Sequence, residues 1–110
     1  MPHIEISQLS KEEVITLSQE VLTPIITAIQ TPGDKIKFYA ANNNIIVNSE
    51  AQNEVIFVNI KWFKRSEAMR TEVAAILTTA LKKRGFEEIL IYFEDIKGEY
   101  YYSNMDNSKR

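Results

Sequence analysis

A chain of 110 residues has room for one domain and one core, and its 45% hydrophobic and 25% charged residues are the mix of a globular protein. The formal charge of −2 gives no basic balance for nucleic acid, and the lack of cysteine together with a lone histidine, His3, excludes disulfides, thiolate nucleophiles and Cys- or His-rich metal sites. No apolar run reaches the length of a membrane span, and MPHIEISQLSKEE has neither the basic start nor the apolar stretch of a signal peptide, so a cytoplasmic protein with no membrane partner is expected.

His3 to Ser7 alternates, with Ile4 and Ile6 on one face and His3 and Glu5 on the other, the pattern of a half-buried strand. Ser10-Lys11-Glu12-Glu13 reads as a capping box, in which the Ser10 hydroxyl takes the amide of Glu13 and the Glu13 carboxylate reaches back. The helix that follows aligns Val14, Leu17, Val21, Ile25 and Ile29 in one stripe, widened by Ile15, Leu22 and Ile26. Pro24 falls inside it and lacks the amide that would bond to the carbonyl of Glu20, so a kink or break is expected there. Thr31-Pro32-Gly33-Asp34 ends the helix. Lys35 to Ala40 alternates again with Ile36 and Phe38 inward, and Asn42-Asn43-Asn44 turns the chain. Ile45 to Asn48 suits a short edge strand, and Ser49 to Asn53 reads as a polar loop.

Val55 to Phe63 is the longest strand candidate, apolar on both faces in its first half, as a central strand covered on both sides would be. Ser66 can cap a second helix whose stripe is Met69, Val73, Ile76, Leu77, Ala80 and Leu81. Lys82, Lys83 and Arg84 complement the dipole of its last turn, and Gly85 stops it. Ile89 to Phe93 is a further dense strand, Lys97-Gly98 turns, and Glu99 to Ser103 reads as a last short strand or arm. Residues 1–105 are read as one domain and 106–110 as a polar tail.

The two halves match. Ile4 leads through a Ser-capped helix to Phe38, and Val58 through a Ser-capped helix to Tyr92, each 34 residues on. A strand–helix–strand unit of that length makes a right-handed crossover between parallel strands. The fold class expected is α/β (α+β): two βαβ units in a four-stranded mixed sheet with both helices on one face. Val55, Phe57, Leu90 and Tyr92 would lie on the uncovered face, with Ile56, Val58, Ile89 and Ile91 against the helices. Apolar residues on an uncovered face imply further subunits. The element order fits a ferredoxin-like sandwich. It fits equally a fold whose open sheets pack in a trimer, and periodicity does not choose between them.

The start Met1-Pro2-His3-Ile4 enters a strand at once, and an initiator methionine before proline is usually removed, which would leave Pro2 as a secondary amine. This resembles the tautomerase superfamily, which includes 4-oxalocrotonate tautomerase and macrophage migration inhibitory factor. More closely, Pro2-His3-Ile4, the run Val58-Asn59-Ile60-Lys61-Trp62-Phe63-Lys64-Arg65 and the tail Glu99-Tyr100-Tyr101-Tyr102 look like a small bacterial family of unknown function within it. The resemblance implies a homotrimer with Pro2 as general base, acting on a small anionic 2-oxo or enol acid without cofactor or metal. It also implies that Arg65, in the turn after the third strand, binds the substrate carboxylate. Lys61 and Lys64 are lesser cationic candidates, and Trp62 and Tyr101 are candidate substrate contacts. The plainer readings are Trp62 as core, the tyrosines as an arm locking the trimer, and His3 as a surface strand residue. The chemistry stands on its own terms: an α-amine titrates near ~7.7–8.0, nearby cations favour its neutral form, and a neutral amine can move a proton from carbon α to a carbonyl. A forked guanidinium suits the carboxylate and the developing enolate. The alternative function is a non-catalytic oligomeric binding module with a tautomerase-like or ferredoxin-like fold. RNA binding on the open sheet is disfavoured by the acidic balance.

Overall fold

The structure, a computed structural model, describes residues 2–106; Met1, whose retention or loss bears on Pro2, and the last four residues of the polar tail lie outside them. The chain runs β1 (His3–Ile6), α1 (Lys11–Ile29), β2 (Lys37–Ala40), β3 (Ile45–Val47), β4 (Glu50–Gln52), β5 (Val55–Trp62), α2 (Glu67–Lys83) and β6 (Glu88–Asp95). Short 3₁₀ turns occupy Gly33–Lys35 and Gly98–Tyr100.

Four strands form one mixed sheet in the order β2-β1-β5-β6. Each βαβ unit contributes a parallel pair, and the two units meet through antiparallel β1 and β5. Ile4 pairs with Phe38 as the sequence spacing implies, whereas Val58 pairs with Ile91, one residue before Tyr92. Alternation along the strands sorts the side chains. Ile4, Ile6, Ile56, Val58, Ile60 and Trp62 form one buried cluster with Val14, Leu17, Val21 and Ile25 of α1 and Val73, Leu77 and Leu81 of α2. Both helices therefore cover the same side. Phe57, Leu90 and Tyr92 point to the other, where each is exposed.

The helix ends follow the sequence chemistry. The Glu13 amide donates to Ser10 Oγ at 3.2 Å and the Ser10 amide to Glu13 Oε1 at 2.8 Å, closing the capping box. Ser66 Oγ accepts from the Met69 amide at 3.2 Å. Gly85, at φ +96°, turns the chain out of α2 in a conformation that would strain any side chain. Among the described residues no helix is long and apolar enough to cross a membrane.

Three expectations are corrected. The helix does not break at Pro24: α1 runs through it, with Pro24 itself exposed and Val21, Ile25, Ala28 and Ile29 buried around it. The packing of that stripe outweighs one missing hydrogen bond. The short strand expected from Ile45 is present, but Glu50–Gln52 is strand and not loop; β3 and β4 pair with each other as a ribbon separate from the main sheet. Asn48 and Ser49, at φ 52° and 67°, supply the two left-handed residues that a tight hairpin turn requires. The Gln8 side-chain amide ties this ribbon back by donating to the carbonyls of Gln52 and Val55. Finally, Glu99 to Ser103 forms no strand; a 3₁₀ turn is followed by an isolated bridge between Ser103 and Asp106.

Candidate active site

Pro2 enters the sheet at the head of a central strand. His3 is registered against Lys37 of β2 on one side and Lys61 of β5 on the other. Continuing the antiparallel register by one residue sets Pro2 opposite Trp62. The Pro2 carbonyl accepts from the Lys37 amide at 3.0 Å, and Pro2 is buried on the same side as Ile4 and Ile6. Having no N–H of its own when acylated, and no ladder partner to lose, proline fits the first position of a strand without cost.

Arg65 lies just past the end of β5. Its guanidinium sits 5.0 Å above the centre of the Trp62 ring. One terminal nitrogen donates to the Phe63 carbonyl at 2.9 Å and the other to Thr31 Oγ1 at 3.1 Å. These bonds use two of the five donors of the guanidinium and leave the group oriented by an aromatic plane, the turn after β5 and the turn after α1. Partial burial lowers its pKa without threatening its charge. Trp62 is only 1% exposed and stacks on Phe93, with ring centres 4.9 Å apart. Within a single chain it is a platform for Arg65.

The remaining sequence candidates separate. Lys61 lies on the open side of the sheet, 3.6 Å from the Glu5 carboxylate, and Lys64 is exposed. Tyr101 folds back from the segment after β6 to the start of β1. Its ring meets Phe63 edge-on at 5.1 Å, and its hydroxyl is 2.7 Å from His3 Nε2. The other nitrogen of His3 is 2.7 Å from the Tyr39 hydroxyl. His3 is thus no plain surface residue: both ring nitrogens are engaged by phenols. Burial, then the charge of Lys37, holds its pKa below the ordinary imidazole value of 6.5.

Sequence reasoning missed His3, Tyr39 and Thr31. One signal was available. The 34-residue spacing of the first unit predicts the pairing of Glu5 with Tyr39, which puts Tyr39 diagonally across from His3 on the same face. Nothing in the sequence announced that Thr31, a turn residue, would meet Arg65.

On the open side, Asn59 sits between Glu5 of β1 and Tyr92 of β6. Its Oδ1 is buried and has no hydrogen-bond partner within the described chain. A buried acceptor in that condition is costly unless something else donates to it.

The geometry agrees with comparison to known proteins. The chain belongs to the family described as a domain of unknown function (DUF1904), which matches residues 1–107. The crystal structure of a DUF1904 domain from Sebaldella termitidis superposes with a TM-score of 0.88 at 23% identity, covering 96% of this chain and 98% of that one. The F6 fused 4-OT protein, solved as a wild-type asymmetric trimer, superposes with a TM-score of 0.77 at 13% identity, covering 94% of each chain. A macrophage migration inhibitory factor-like protein from Entamoeba histolytica gives 0.74 at 14% identity, over 93% of this chain and 94% of that one. None of the curated proteins compared with the chain matches it in sequence. This member of the DUF1904 family therefore has the tautomerase-superfamily fold, and the ferredoxin-like alternative is set aside.

Proposed function

We propose that this DUF1904 protein is a tautomerase or isomerase of a small 2-oxo or enol acid, with the Pro2 amine as general base once Met1 has been removed. The observation that carries the reading is that buried Pro2 and Arg65 both neighbour Trp62 at one end of the sheet: the register, extended by one residue, sets Pro2 opposite Trp62, and the Arg65 guanidinium lies over the Trp62 ring. Lys37 and Lys61, one register step away, add positive charge that favours a neutral amine and draws an anion. In this reading Arg65 binds the substrate carboxylate with the donors it has left. Pro2 takes a proton from the carbon next to the carbonyl, the enolate forms beside the guanidinium, and the protonated amine returns the proton to carbon. Lys61 and Lys64 are the further candidates at the rim.

A homotrimer is part of the same proposal. Phe57, Leu90 and Tyr92 are exposed on the open face, and Asn59 Oδ1 is an acceptor awaiting a donor. Packing of three open faces would cover the first and supply the second, and the trimeric 4-OT relative supports that arrangement.

Intact mass spectrometry should find the chain without Met1, and the processed protein should ketonise phenylenolpyruvate faster as the amine loses its proton. A variant that carries one extra residue ahead of Pro2 turns the amine into an amide and should lose about 10²–10⁴-fold in kcat/KM. Equal turnover by the blocked and processed proteins rules Pro2 out as base. No turnover of any enol or 2-oxo acid by the processed protein favours the non-catalytic binding module instead.

A further inference from the structure

His3 and its two phenols have no part in the proton transfer just described, yet both nitrogens of the ring are engaged by a phenol. Tyr39 comes from β2 and Tyr101 from beyond β6. Their ring centres lie 5.7 and 5.9 Å from that of His3, and both hydroxyls are 2.7 Å from its nitrogens. We propose that His3 is a positioning residue for Pro2: Tyr39 and Tyr101 clamp its imidazole from both sides, and the clamp holds the adjoining peptide so that the Pro2 nitrogen keeps its working direction. The proposal rests on the reading of Pro2 as the base.

The covalent argument is short. The pyrrolidine ring ties the Pro2 nitrogen rigidly to its Cα, so the aim of that nitrogen depends on rotation about the Cα–C bond alone. That rotation is read against the peptide plane joining Pro2 to His3. The Lys37 amide holds this plane through the Pro2 carbonyl, at 3.0 Å. The seat of the His3 ring holds it from the other end.

The clamp also reaches the proposed substrate anchor. Tyr101 packs edge-on against Phe63, and the carbonyl of Phe63 accepts from Arg65. An unbroken set of contacts thus runs from Pro2 through His3, Tyr101 and Phe63 to Arg65. A base and a carboxylate anchor must keep a fixed separation for a small acid to bridge them, and a misplacement of about 1 Å can cost ~10²-fold in rate.

The charges around His3 suit a neutral ring. Lys37 of β2 and Lys61 of β5 flank it in register, Glu94 of β6 ends the same row, and Glu5, next on β1's open face, pairs with Lys61. A neutral imidazole has one donor and one acceptor nitrogen, so one phenol must accept from the ring while the other donates to it. Loss of either hydroxyl leaves half a clamp.

The test uses Tyr39→Phe/Tyr101→Phe, which removes both phenol oxygens and keeps both rings, together with His3→Ala and His3→Gln. With phenylenolpyruvate, the double variant and His3→Ala should lose roughly tenfold to hundredfold in kcat with KM little changed. His3→Gln, whose amide can donate and accept, should recover part of the loss. A raised KM with kcat intact would mean that Tyr101 touches substrate directly, and overturns the proposal. A second readout needs no turnover. The chain has 3 prolines, so ¹³C-proline labelling gives three sets of ring signals. The Pro2 signals should shift and average in the double variant while those of Pro24 and Pro32 stay put. Unchanged Pro2 signals overturn the clamp even if the wild type is active. Should the wild type prove inactive, the base reading falls, and the proline spectra still decide whether the clamp orders residue 2.

Discussion

On the helix side of the sheet Ile4, Ile6, Ile56, Val58 and Ile60 are at most 1% exposed, whereas on the opposite side Tyr39, Phe57, Leu90 and Tyr92 are 40% to 57% exposed. The two sets lie on opposite faces of one sheet and alternate along β5. The difference lies in what the other side carries between its large side chains: Lys37, His3, Lys61 and Glu94 in one registered row, and Tyr39, Glu5, Asn59 and Tyr92 in the next. A core face is apolar throughout because nothing polar there could find a partner. The open face mixes rings with hydrogen-bonding groups, the composition of an interface and of a site mouth. One face holds the subunit together, and the other is the face proposed to pack in the trimer.

The sharpest way to break this contrast is to truncate one residue on each side of β5. Ile60→Ala should cost about 2–5 kcal/mol in urea unfolding, whatever the protein concentration. Phe57→Ala should disperse the proposed trimer, followed by light scattering at low micromolar concentration, and change the stability of the separated subunit by less than about 0.5 kcal/mol. Comparable losses in subunit stability from both would erase the distinction between the faces. A wild-type protein that is monomeric under these conditions would remove the proposed occupant of the open face.

A smaller effect separates the faces by pH. The folded-state pKa of His3 is depressed, so the unfolded chain binds the extra proton more readily. The stability that the neutral ring contributes is complete above the ordinary value of 6.5 and is lost as pH falls toward the lower folded-state value. Wild-type stability should therefore decline below about pH 6.5, and His3→Gln should flatten that part of the curve. Ile60→Ala should leave its shape untouched. An identical acid limb in His3→Gln would assign the decline to carboxylates.

The smallest expected change belongs to the helix layer alone. Ser10→Ala removes the side chain that accepts from the Glu13 amide, and should cost about 1 kcal/mol in thermal or urea unfolding with no change in assembly. A loss of oligomer in this variant would show that the two faces are coupled through β1.

Much of this contrast was legible in the sequence, because period-2 alternation is a local signal. Val55, Phe57, Leu90 and Tyr92 were assignable to the open face, and Val14, Leu17, Val21 and Ile25 to the core, from spacing alone. What was not legible depends on partners far along the chain. His3 looks like any half-exposed strand residue until Tyr39 and Tyr101, 36 and 98 residues away, close on it. The anchoring of Arg65 by Thr31 is of the same kind. The return strand β4 was missed for a local reason: Asn48 and Ser49 both take left-handed backbone conformations, which serine seldom signals. The break expected at Pro24 did not follow because a rule about isolated helices was applied to one whose buried stripe passes on either side of it.

The bond between His3 and Tyr101 joins the first strand to almost the last described residues, and this sets an order of events during synthesis. Residues leave the ribosome N-terminal end first, at about 5–20 per second. β1 is the first strand to emerge, but its neighbour β5 is more than fifty residues behind it, and Tyr101 follows later still. Even after β2 has emerged, the leading strand still lacks its β5 neighbour and the Tyr101 contact for those seconds, open to the aminopeptidase that must clip Met1 if Pro2 is to work. Once β5 and Tyr101 arrive, that end is sealed into the sheet. If Pro2 is the base, the window for trimming is thus written into the topology: the strand that needs processing first is the one completed last.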